Sequence, residues 1–360
     1  MLLISIFQLI TFYQIIFTGE TANKSAIIVL AAFSVIEWGW AIASSIILKK
    51  SSLALECIAF FLTGIGLVIA GSVSTSLMVK QFVAVVLGFI SYVVLLFIIA
   101  DTERAEKFRT PMAVAAIVLL VVTLIFAQNK NGAYNWLVIG GFSIQASELV
   151  KGGVQTCALP IFFTFIVIAF LRSGDIRTII FLCMGAAMIA GLVVLMRSDY
   201  VISRFKAYRH IWEYADGRGY QQTRVLTYSA SGGLLGLGIG NGELKKVFAA
   251  TEDLVFGVVC EEWGMLIAFL IALSFIFIFI HSLRCAKGSR SAFYSIASCA
   301  AGGLFLFQAA LNIFGVTDFL PLTGVTLPFV SRGGSSTISC WALLSFIKAA
   351  DNRTWAGGKK

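Results

Sequence analysis

Hydrophobic runs of about 20 residues recur along the whole chain, and a run of that length is what a helix needs to cross a bilayer. The 360 residues are 59% hydrophobic and 12% charged, whereas a soluble domain carries about twice that charge. The sequence therefore predicts an all-α polytopic membrane protein with about ten transmembrane helices. We place them roughly at residues 2–17, 27–48, 53–73, 80–100, 111–127, 146–171, 177–195, 254–281, 291–314 and 334–350.

The basic residues predict the orientation of these helices, because short cytoplasmic loops are enriched in Lys and Arg. Under this helix count the basic segments share one side, which we assign to the cytoplasm together with both termini. They are the loop with Lys49 and Lys50, the loops 101–109, 172–177 and 281–290, and the tail with Lys348, Arg353, Lys359 and Lys360. We expect residues 1–350 to form a single integral membrane domain and residues 351–360 to form a short basic tail. The opening MLLISIFQLITFYQIIF lacks a basic region and a cleavage site, so it predicts a helix and not a signal peptide.

Two irregular segments fall on the other side, a long extracytoplasmic loop at about 196–253 and a re-entrant-like loop at 315–333. Lipid cannot satisfy backbone N–H and C=O groups, so irregular backbone at a bilayer is buried in protein or lines a cavity. The segment 315–333 contains Pro321, Pro328 and a run of large apolar residues. This composition favours a cavity-lining loop over an ordinary exposed turn.

The long outer loop is basic, with Arg204, Arg209, Lys245 and Lys246 among its cations. Arginine forks and lysine charges suit the oxygens of a phosphate or pyrophosphate headgroup. The alternative is a solvated loop that touches anionic membrane lipid. The glycine-rich stretch 228–242 within it is neither a P-loop nor a dinucleotide fingerprint, so we expect it to pack backbone closely against a neighbour.

Carboxylates gather at the start of the predicted helix 254–281. Glu252 and Asp253 come directly before it, and Glu261 and Glu262 follow about two turns later. An acidic residue at a helix N-terminus interacts favourably with the helix dipole, so Asp253 has a capping interpretation. The functional interpretation is a carboxylate at the outer membrane face that accepts a proton from an attacking hydroxyl.

Ionisable residues also lie inside predicted transmembrane helices, where they mark functional sites by default. Glu148 and Lys151 are three residues apart and share one helix face, so we expect them to pair. Glu37 lies in the middle of the predicted helix 27–48. It is either a functional residue or a paired structural charge. The seven cysteines form no CxxC pair or Cys/His cluster and the chain has two histidines, so the sequence predicts no metal site.

Four stretches together resemble one family. They are QASELVK (145–151), GYQQTRVLTYSASGGLLGLGIGNG (219–242), EDLVFGVVCEEWG (252–264) and PLTGVTLPFVSRGGSS (321–336). They are similar to motifs of the SEDS family (shape, elongation, division and sporulation), whose members are membrane proteins of cell shape and division. Ala146 stands in place of a proline and Glu252 in place of a threonine, while the last stretch matches the family pattern at every fixed position.

The resemblance implies a peptidoglycan glycosyltransferase that polymerises lipid II at the outer face of the cytoplasmic membrane. It places the catalytic aspartate on Asp253, as the base that activates the acceptor hydroxyl, and we expect the neighbouring Glu252 to be dispensable. Substrate contacts are assigned to Glu148, Lys151, Arg204, Arg209, Gln221, Thr323, Pro328, Ser331, Gly333 and Gly334.

The implied partners are lipid II, membrane lipid and a class B penicillin-binding protein, and nucleic acid is not among them. The motifs require no cofactor, and a divalent cation is the candidate for assisting pyrophosphate departure. Two alternatives stay open: a lipid II flippase, and a non-catalytic scaffold for a class B penicillin-binding protein.

The chain departs from the family pattern at Asp199, which no glycine follows although the family has an R-D-x-G or P-D-x-G turn. The sequence then passes almost at once to the segment that precedes Gly219. We therefore expect a segment of the family's outer loop to be missing here, a loss that would leave the chain as given inactive.

The stretch GVQTCALPI (153–161) interrupts a helix that the family continues, because Pro160 inside a helix costs about 3 kcal/mol. One reading frame of a common sequencing adapter encodes this peptide, so we attribute the stretch to misassembly of the gene sequence. Long-read sequencing of the gene is expected to return an uninterrupted apolar helix after Lys151. An intact gene that encodes the stretch would contradict this explanation.

Overall fold

The computed structural model describes residues 1–17, 23–48, 52–101, 104, 128–130, 133–139, 142–144, 184, 208–217 and 219–351. The helices before residue 100 are α1 (Leu2–Ile16), α2 (Lys24–Ile47), α3 (Ala54–Val73) and α4 (Thr75–Ile99). Those after residue 208 are α5 (Tyr220–Ser231), a 3₁₀ turn (Leu244–Lys246), α6 (Val255–Lys287), α7 (Ala292–Val316) and α8 (Gly334–Ala350). Asn23 and Ser74 cap α2 and α4, each accepting a backbone N–H three residues ahead.

Five of the described helices, α2, α3, α4, α6 and α7, are long and apolar enough to cross a membrane. Helices α1 and α8 are shorter, with 15 and 17 residues. The prediction of a polytopic helical membrane protein is confirmed, and seven of the predicted helices are present. The predicted helices at 111–127, 146–171 and 177–195 lie outside the described residues, apart from the helical Met184.

A small antiparallel sheet accompanies the helices. Its strands, in the order β1, β2 and β3, are Gln128–Lys130, Ala133–Ile139 and Phe142–Ile144. These strands differ from the all-α prediction. In the sequence, the dipeptides Asn131-Gly132 and Gly140-Gly141 stand between them. These dipeptides are typical of two-residue hairpin turns because they adopt positive φ without strain.

A cluster of aromatic rings on Trp341 joins three helices and the segment before α8. The ring centroid of Trp341 lies 5.1 Å from that of Phe60 on α3 and 5.5 Å from that of Phe89 on α4. Phe329, which precedes α8, packs on the same ring at 5.7 Å. Trp341 is fully buried, so the irregular segment 317–333 is anchored in the helical core.

The described loops lie at two opposite ends of the bundle. At one end the segments 208–254 and 317–333 contact each other, for example where the Tyr208 hydroxyl donates to the Phe319 carbonyl at 2.7 Å. At the other end the Tyr294 hydroxyl donates to the Ile99 carbonyl at 2.6 Å. The predicted grouping of the two irregular segments is confirmed, and the assignment of the opposite end to the cytoplasm stays a prediction.

Lys348, which the charge pattern groups with the basic tail, lies inside the predicted helix 334–350 and is buried. Helix α8 continues to Ala350 and places Lys348 on the face that packs against α3 and α4, where its side chain is 1% exposed. Its ammonium lies 2.8 Å from the carboxylate of Glu56, which is 0% exposed and also accepts the Tyr92 hydroxyl at 2.8 Å. The Lys348 ammonium also donates to the Ser52 carbonyl at 2.7 Å. This buried ion pair ties α8 to α3 and α4.

Replacing Lys348 with methionine removes the cation that faces Glu56 inside the bundle. Breaking a buried pair from one side lowers the free energy of unfolding by about 3–5 kcal/mol, which thermal unfolding of the purified protein in detergent measures. The double variant Glu56→Gln, Lys348→Met removes both charges and is expected to recover part of the loss. The control is Lys246→Met, which breaks an exposed pair with Glu243 and is expected to leave the unfolding temperature unchanged. Equal losses at the two lysines would contradict the assignment.

Candidate active site

The segment 317–333, here called the α7–α8 loop, is joined to the residues before α6 by hydrogen bonds. The Ser331 hydroxyl donates to the Glu252 carbonyl at 2.6 Å and accepts the Leu327 N–H at 2.8 Å. The Arg332 N–H donates to the Thr251 carbonyl at 2.8 Å. Backbone groups of this irregular loop therefore find partners within the protein, as backbone at membrane depth requires.

Burial divides the α7–α8 loop into two halves. From Val325 to Ser331 the residues are buried except for the half-buried Thr326, whereas Thr323 is exposed. Gly66 on α3 lets the loop approach closely, since a Cβ there would lie 2.7 Å from the Val330 carbonyl oxygen. The prediction of a re-entrant-like loop is confirmed, because an ordinary exposed turn would leave both halves in solvent.

Asp253 lies under the exposed half of this loop. It precedes Leu254, the N-cap of α6, so Asp253 itself does not occupy the capping position. The Asn312 side-chain amide on α7 donates to the Asp253 carbonyl at 2.9 Å and to the Val325 carbonyl at 2.6 Å. One amide group thus fixes the backbone of the candidate base and the backbone of the loop above it.

The lack of a side chain at Gly324 leaves room for the carboxylate of Asp253. The φ of Gly324 is +71°, a left-handed conformation that glycine adopts without strain. A Cβ built on Gly324 would lie 3.3 Å from Oδ2 of Asp253. The half-buried Asp253 carboxylate therefore faces the turn of the PLTG motif.

Glu252, which we expect from the sequence to be dispensable, forms an ion pair with Arg332 of the α7–α8 loop. Both side chains are partly buried. The ion pair therefore joins the loop to the residues before α6, in addition to the hydrogen bonds of Ser331. Arg332 occupies a variable position of the family motif, so the sequence offers no signal for it. Because Glu252 holds the loop, it is unsuitable as a neutral comparison for Asp253.

Arg209 and Asp318 meet at the outer edge of the α7–α8 loop. The Arg209 backbone N–H donates to the carboxyl of Asp318, and the Gln222 side-chain amide donates to the same group at 3.1 Å. Burial raises the pKa of Asp318 above its usual value, and the Arg209 N–H and charge partly offset that rise. Asp318 is a second carboxyl at this end of the bundle, and the sequence analysis does not single it out.

The remaining predicted contact residues hold the loops in place. The Gln221 side-chain amide donates to the Phe248 carbonyl at 3.0 Å, which fixes the chain ahead of Asp253. The Gly333 N–H donates to the Gln81 side chain at 3.2 Å, and Gly334 opens α8. Pro328 is buried and Ser331 is 2% exposed. We therefore regard them as positioning residues.

Three of the residues predicted to contact substrate, Glu148, Lys151 and Arg204, lie outside the residues that the structure describes. Their proposed roles rest on the sequence alone. The expected missing segment near Asp199 and the stretch 153–161 also fall outside.

The glycine-rich stretch packs backbone to backbone on α6, as the sequence predicts. A side chain on Gly232 or Gly236 would collide with carbonyl oxygens of α6. The Gly238 N–H donates to the Glu262 carbonyl at 3.1 Å. The Glu261 carboxylate accepts the N–H groups of residues 243 and 244 at 2.8 and 2.9 Å. Glu261 is therefore a structural acid that caps the 3₁₀ turn.

Metal ligands do not gather at Asp253 in the part of the chain that the structure describes. The sequence shows no Cys/His cluster, and the absence of a metal site stays a prediction. His281, Cys285 and Asp351 come together at the opposite end of the bundle, with their ligand atoms within 4.8 Å of one another. Asp351 lies 66 residues from Cys285 in the chain, so spacing alone gives no sign of this group.

Comparisons with known proteins identify the family. The family model for cell cycle proteins of the FtsW, RodA and SpoVE type matches residues 53–159 and 156–354. The chain belongs to this family. The two matched segments meet at 156–159, inside the stretch 153–161 that interrupts the predicted helix.

The relatives and solved structures agree with this assignment. A probable peptidoglycan glycosyltransferase FtsW of Borreliella burgdorferi is 31% identical over 310 residues, 72% of this chain and 83% of the relative. Stage V sporulation protein E of Bacillus subtilis is 30% identical over 272 residues, 62% of this chain and 74% of the relative. A chain from a structure described as a peptidoglycan synthase complex that coordinates polymerization and crosslinking superposes with a TM-score of 0.68. It is 21% identical and covers 84% of this chain and 98% of its own length, so it shares the fold.

Replacing Gly324 with valine tests whether the loop turn positions Asp253. Valine at a φ of +71° is strained, and its Cβ would press on the carboxylate. Misplacing a reacting group by 1 Å costs roughly 10²-fold in rate, so turnover in a lipid II polymerisation assay is expected to fall by that order. The control is Gly39→Val, at an exposed position of α2 with no atom within 4 Å of the new Cβ. Equal tolerance at both positions would mean that the loop is only a connector.

Proposed function

We propose that this chain is a peptidoglycan glycosyltransferase that polymerises lipid II at the outer face of the cytoplasmic membrane, with Asp253 as its general base. The observation that carries the proposal is a half-buried carboxylate held beneath a satisfied, irregular loop at one end of a transmembrane bundle. Family membership supports the activity, since the Borreliella burgdorferi relative is named as a probable peptidoglycan glycosyltransferase.

The reaction joins an acceptor sugar to a donor sugar carried on undecaprenyl pyrophosphate. The acceptor hydroxyl attacks the anomeric carbon of the donor, and its proton passes to the carboxylate of Asp253. The bond between that carbon and the pyrophosphate oxygen breaks, and the lipid pyrophosphate leaves with the electron pair. A general base must be held within reach of the hydroxyl proton that it accepts. The hydrogen bonds of Asn312 and Ser331 fix the backbone around Asp253 and so hold it in position.

Negative charge develops on the departing pyrophosphate, so cationic donors at the same end of the bundle would stabilise it. Arg209 lies there, at the edge of the α7–α8 loop, and Arg204 precedes it in the same basic segment. A bound divalent cation would neutralise leaving-group charge in the same way. Neither the adjacent Glu252 nor the loop residue Asp318 fits such an ion, because Glu252 pairs with Arg332 and Asp318 already accepts hydrogen bonds from Arg209 and Gln222.

We further propose a class B penicillin-binding protein as the partner and cytoplasmic positions for both termini. The first rests on the likeness to a chain from a synthase complex that coordinates polymerization and crosslinking. The second rests on the basic segments that the sequence places together. A glycan polymerase beside a transpeptidase would deliver each new strand directly to cross-linking.

The transport alternative depends on Glu37, the charge in the middle of a predicted transmembrane helix. Glu37 is fully buried, and the Gln8 side-chain amide of α1 donates to its carboxyl at 2.6 Å. The partner is a neutral amide and not a cation, so Glu37 joins α1 to α2 through a hydrogen bond, and this contact favours the structural interpretation. Transport is therefore not the function that we propose.

The Asp253→Asn variant tests the proposal, because an amide keeps the size of the side chain but accepts no proton at neutral pH. A general base contributes roughly 10²–10⁴-fold. Polymerisation of labelled lipid II, measured on protein from a repaired gene with an uninterrupted helix after Lys151, is therefore expected to fall by that order. Asp318→Asn is the matched control, since it changes the same residue type at the same end of the bundle. We expect the Asp318 variant to retain most of its turnover.

Thermal unfolding of both variants separates loss of chemistry from loss of fold. Near wild-type polymerisation by the Asp253→Asn protein would overturn the assignment of Asp253 as the base, whereas absence of polymerisation by the wild type would favour the scaffold alternative. A larger loss from Asp318→Asn, with folding intact, would move the base to Asp318.

A further inference from the structure

We propose that His281, Cys285 and Asp351 form a binding site for a zinc-type divalent cation at the end of the bundle opposite to Asp253. The ring nitrogen, thiol and carboxylate atoms of these residues lie within 4.8 Å of one another. The site is independent of the glycosyltransferase reaction and stands on its own geometry.

The fold brings these ligands together from two helices. His281 and Cys285 are four residues apart in the last turns of α6, so they lie on one face. Asp351 follows α8 directly, and its backbone N–H donates to the Lys348 carbonyl at 3.2 Å. In a tetrahedral zinc site with bonds of about 2.0–2.3 Å, ligand atoms stand roughly 3.5 Å apart. Side-chain movements on the order of 1 Å would therefore complete the coordination.

The donor set and the local field both favour such a cation. Nitrogen, sulfur and carboxylate oxygen together suit Zn²⁺ better than Mg²⁺ or Ca²⁺, which prefer oxygen alone. Helices α6 and α8 both end here, and the C-terminal ends of helix dipoles attract positive charge. Arg284 and Lys287 oppose a cation, but both are exposed to solvent. Lys348 is neutralised by Glu56.

A cavity gives the ion access and room. Its volume is about 450 Å³, and its wall includes the three ligands together with Ser52, Arg284 and Gly288. Cys285 is 4% exposed and Asp351 is 3% exposed, while His281 is half-buried at the open side. A site with three protein ligands leaves its fourth position to water, and the cavity holds space for one.

Binding would clamp the end of α6 to the end of α8. Ser52 lies in the same wall, and its carbonyl accepts the buried ammonium of Lys348. The clamp would therefore add to the buried ion pair that already joins α8 to α3. Its expected effect is on the stability of the bundle, because the ion binds the folded chain and not the unfolded one.

Cobalt substitution tests the site in the purified full-length protein in detergent. Co²⁺ is expected to bind one ion per chain and to give a thiolate charge-transfer band with the visible bands of a tetrahedral centre. Cys285→Ser should abolish the charge-transfer band, and Zn²⁺ should raise the unfolding temperature of the wild type but not that of the Cys285→Ser protein. Cys299→Ser is the matched control, since Cys299 is equally buried but lies on α7 outside the group. An unchanged band in the Cys285→Ser protein, or no band in the wild type, would overturn the proposal.

A second measurement on the wild type needs no variant and decides the matter if Cys285→Ser fails to fold. Zn²⁺ is expected to slow alkylation of Cys285, followed by mass spectrometry of its peptide. Cys57 is the internal reference, because its half-buried thiol lies on α3 and should react at the same rate with or without the ion. Equal alkylation of Cys285 with and without Zn²⁺ would overturn the proposal.

Discussion

Irregular backbone at membrane depth must be buried in protein or line a cavity, and hydrogen bonds join the α7–α8 loop to the residues before α6. Ser331, Arg332 and Asn312 connect the loop to residues 251–253 through backbone carbonyls. The same bonds that satisfy the loop fix the position of the candidate base. Local stability and the proposed chemistry therefore depend on one set of interactions.

The core of the bundle links this site to the rest of the fold. Phe329 of the loop packs on Trp341 of α8, which also contacts Phe60 and Phe89 of α3 and α4. Further along α8, Lys348 pairs with the buried Glu56. Helix α8 thus follows the loop directly, carries the buried Lys348 near its C-terminal end, and is followed by Asp351.

The helices and irregular segments follow from the sequence because hydrophobic run length, proline and glycine are local signals. The backbone packing of the glycine-rich stretch is predictable for the same reason. The dipeptides Asn131-Gly132 and Gly140-Gly141 are a sequence signal for hairpins that the helical interpretation did not use. The pairs that complete the site are not local. Glu252 and Arg332 are 80 residues apart, and Glu56 lies almost the length of the chain from Lys348. Only the folded chain shows which charges meet.

A structure of the protein with a bound lipid II acceptor analogue is the most direct measurement of the central claim. A general base must lie within about 2.6–3.2 Å of the oxygen whose proton it accepts, or reach it through one water. The account predicts that separation between the acceptor hydroxyl and the carboxylate of Asp253, beneath the turn at Gly324. An acceptor bound with its hydroxyl beyond reach of Asp253, or against Asp318 instead, would contradict the account.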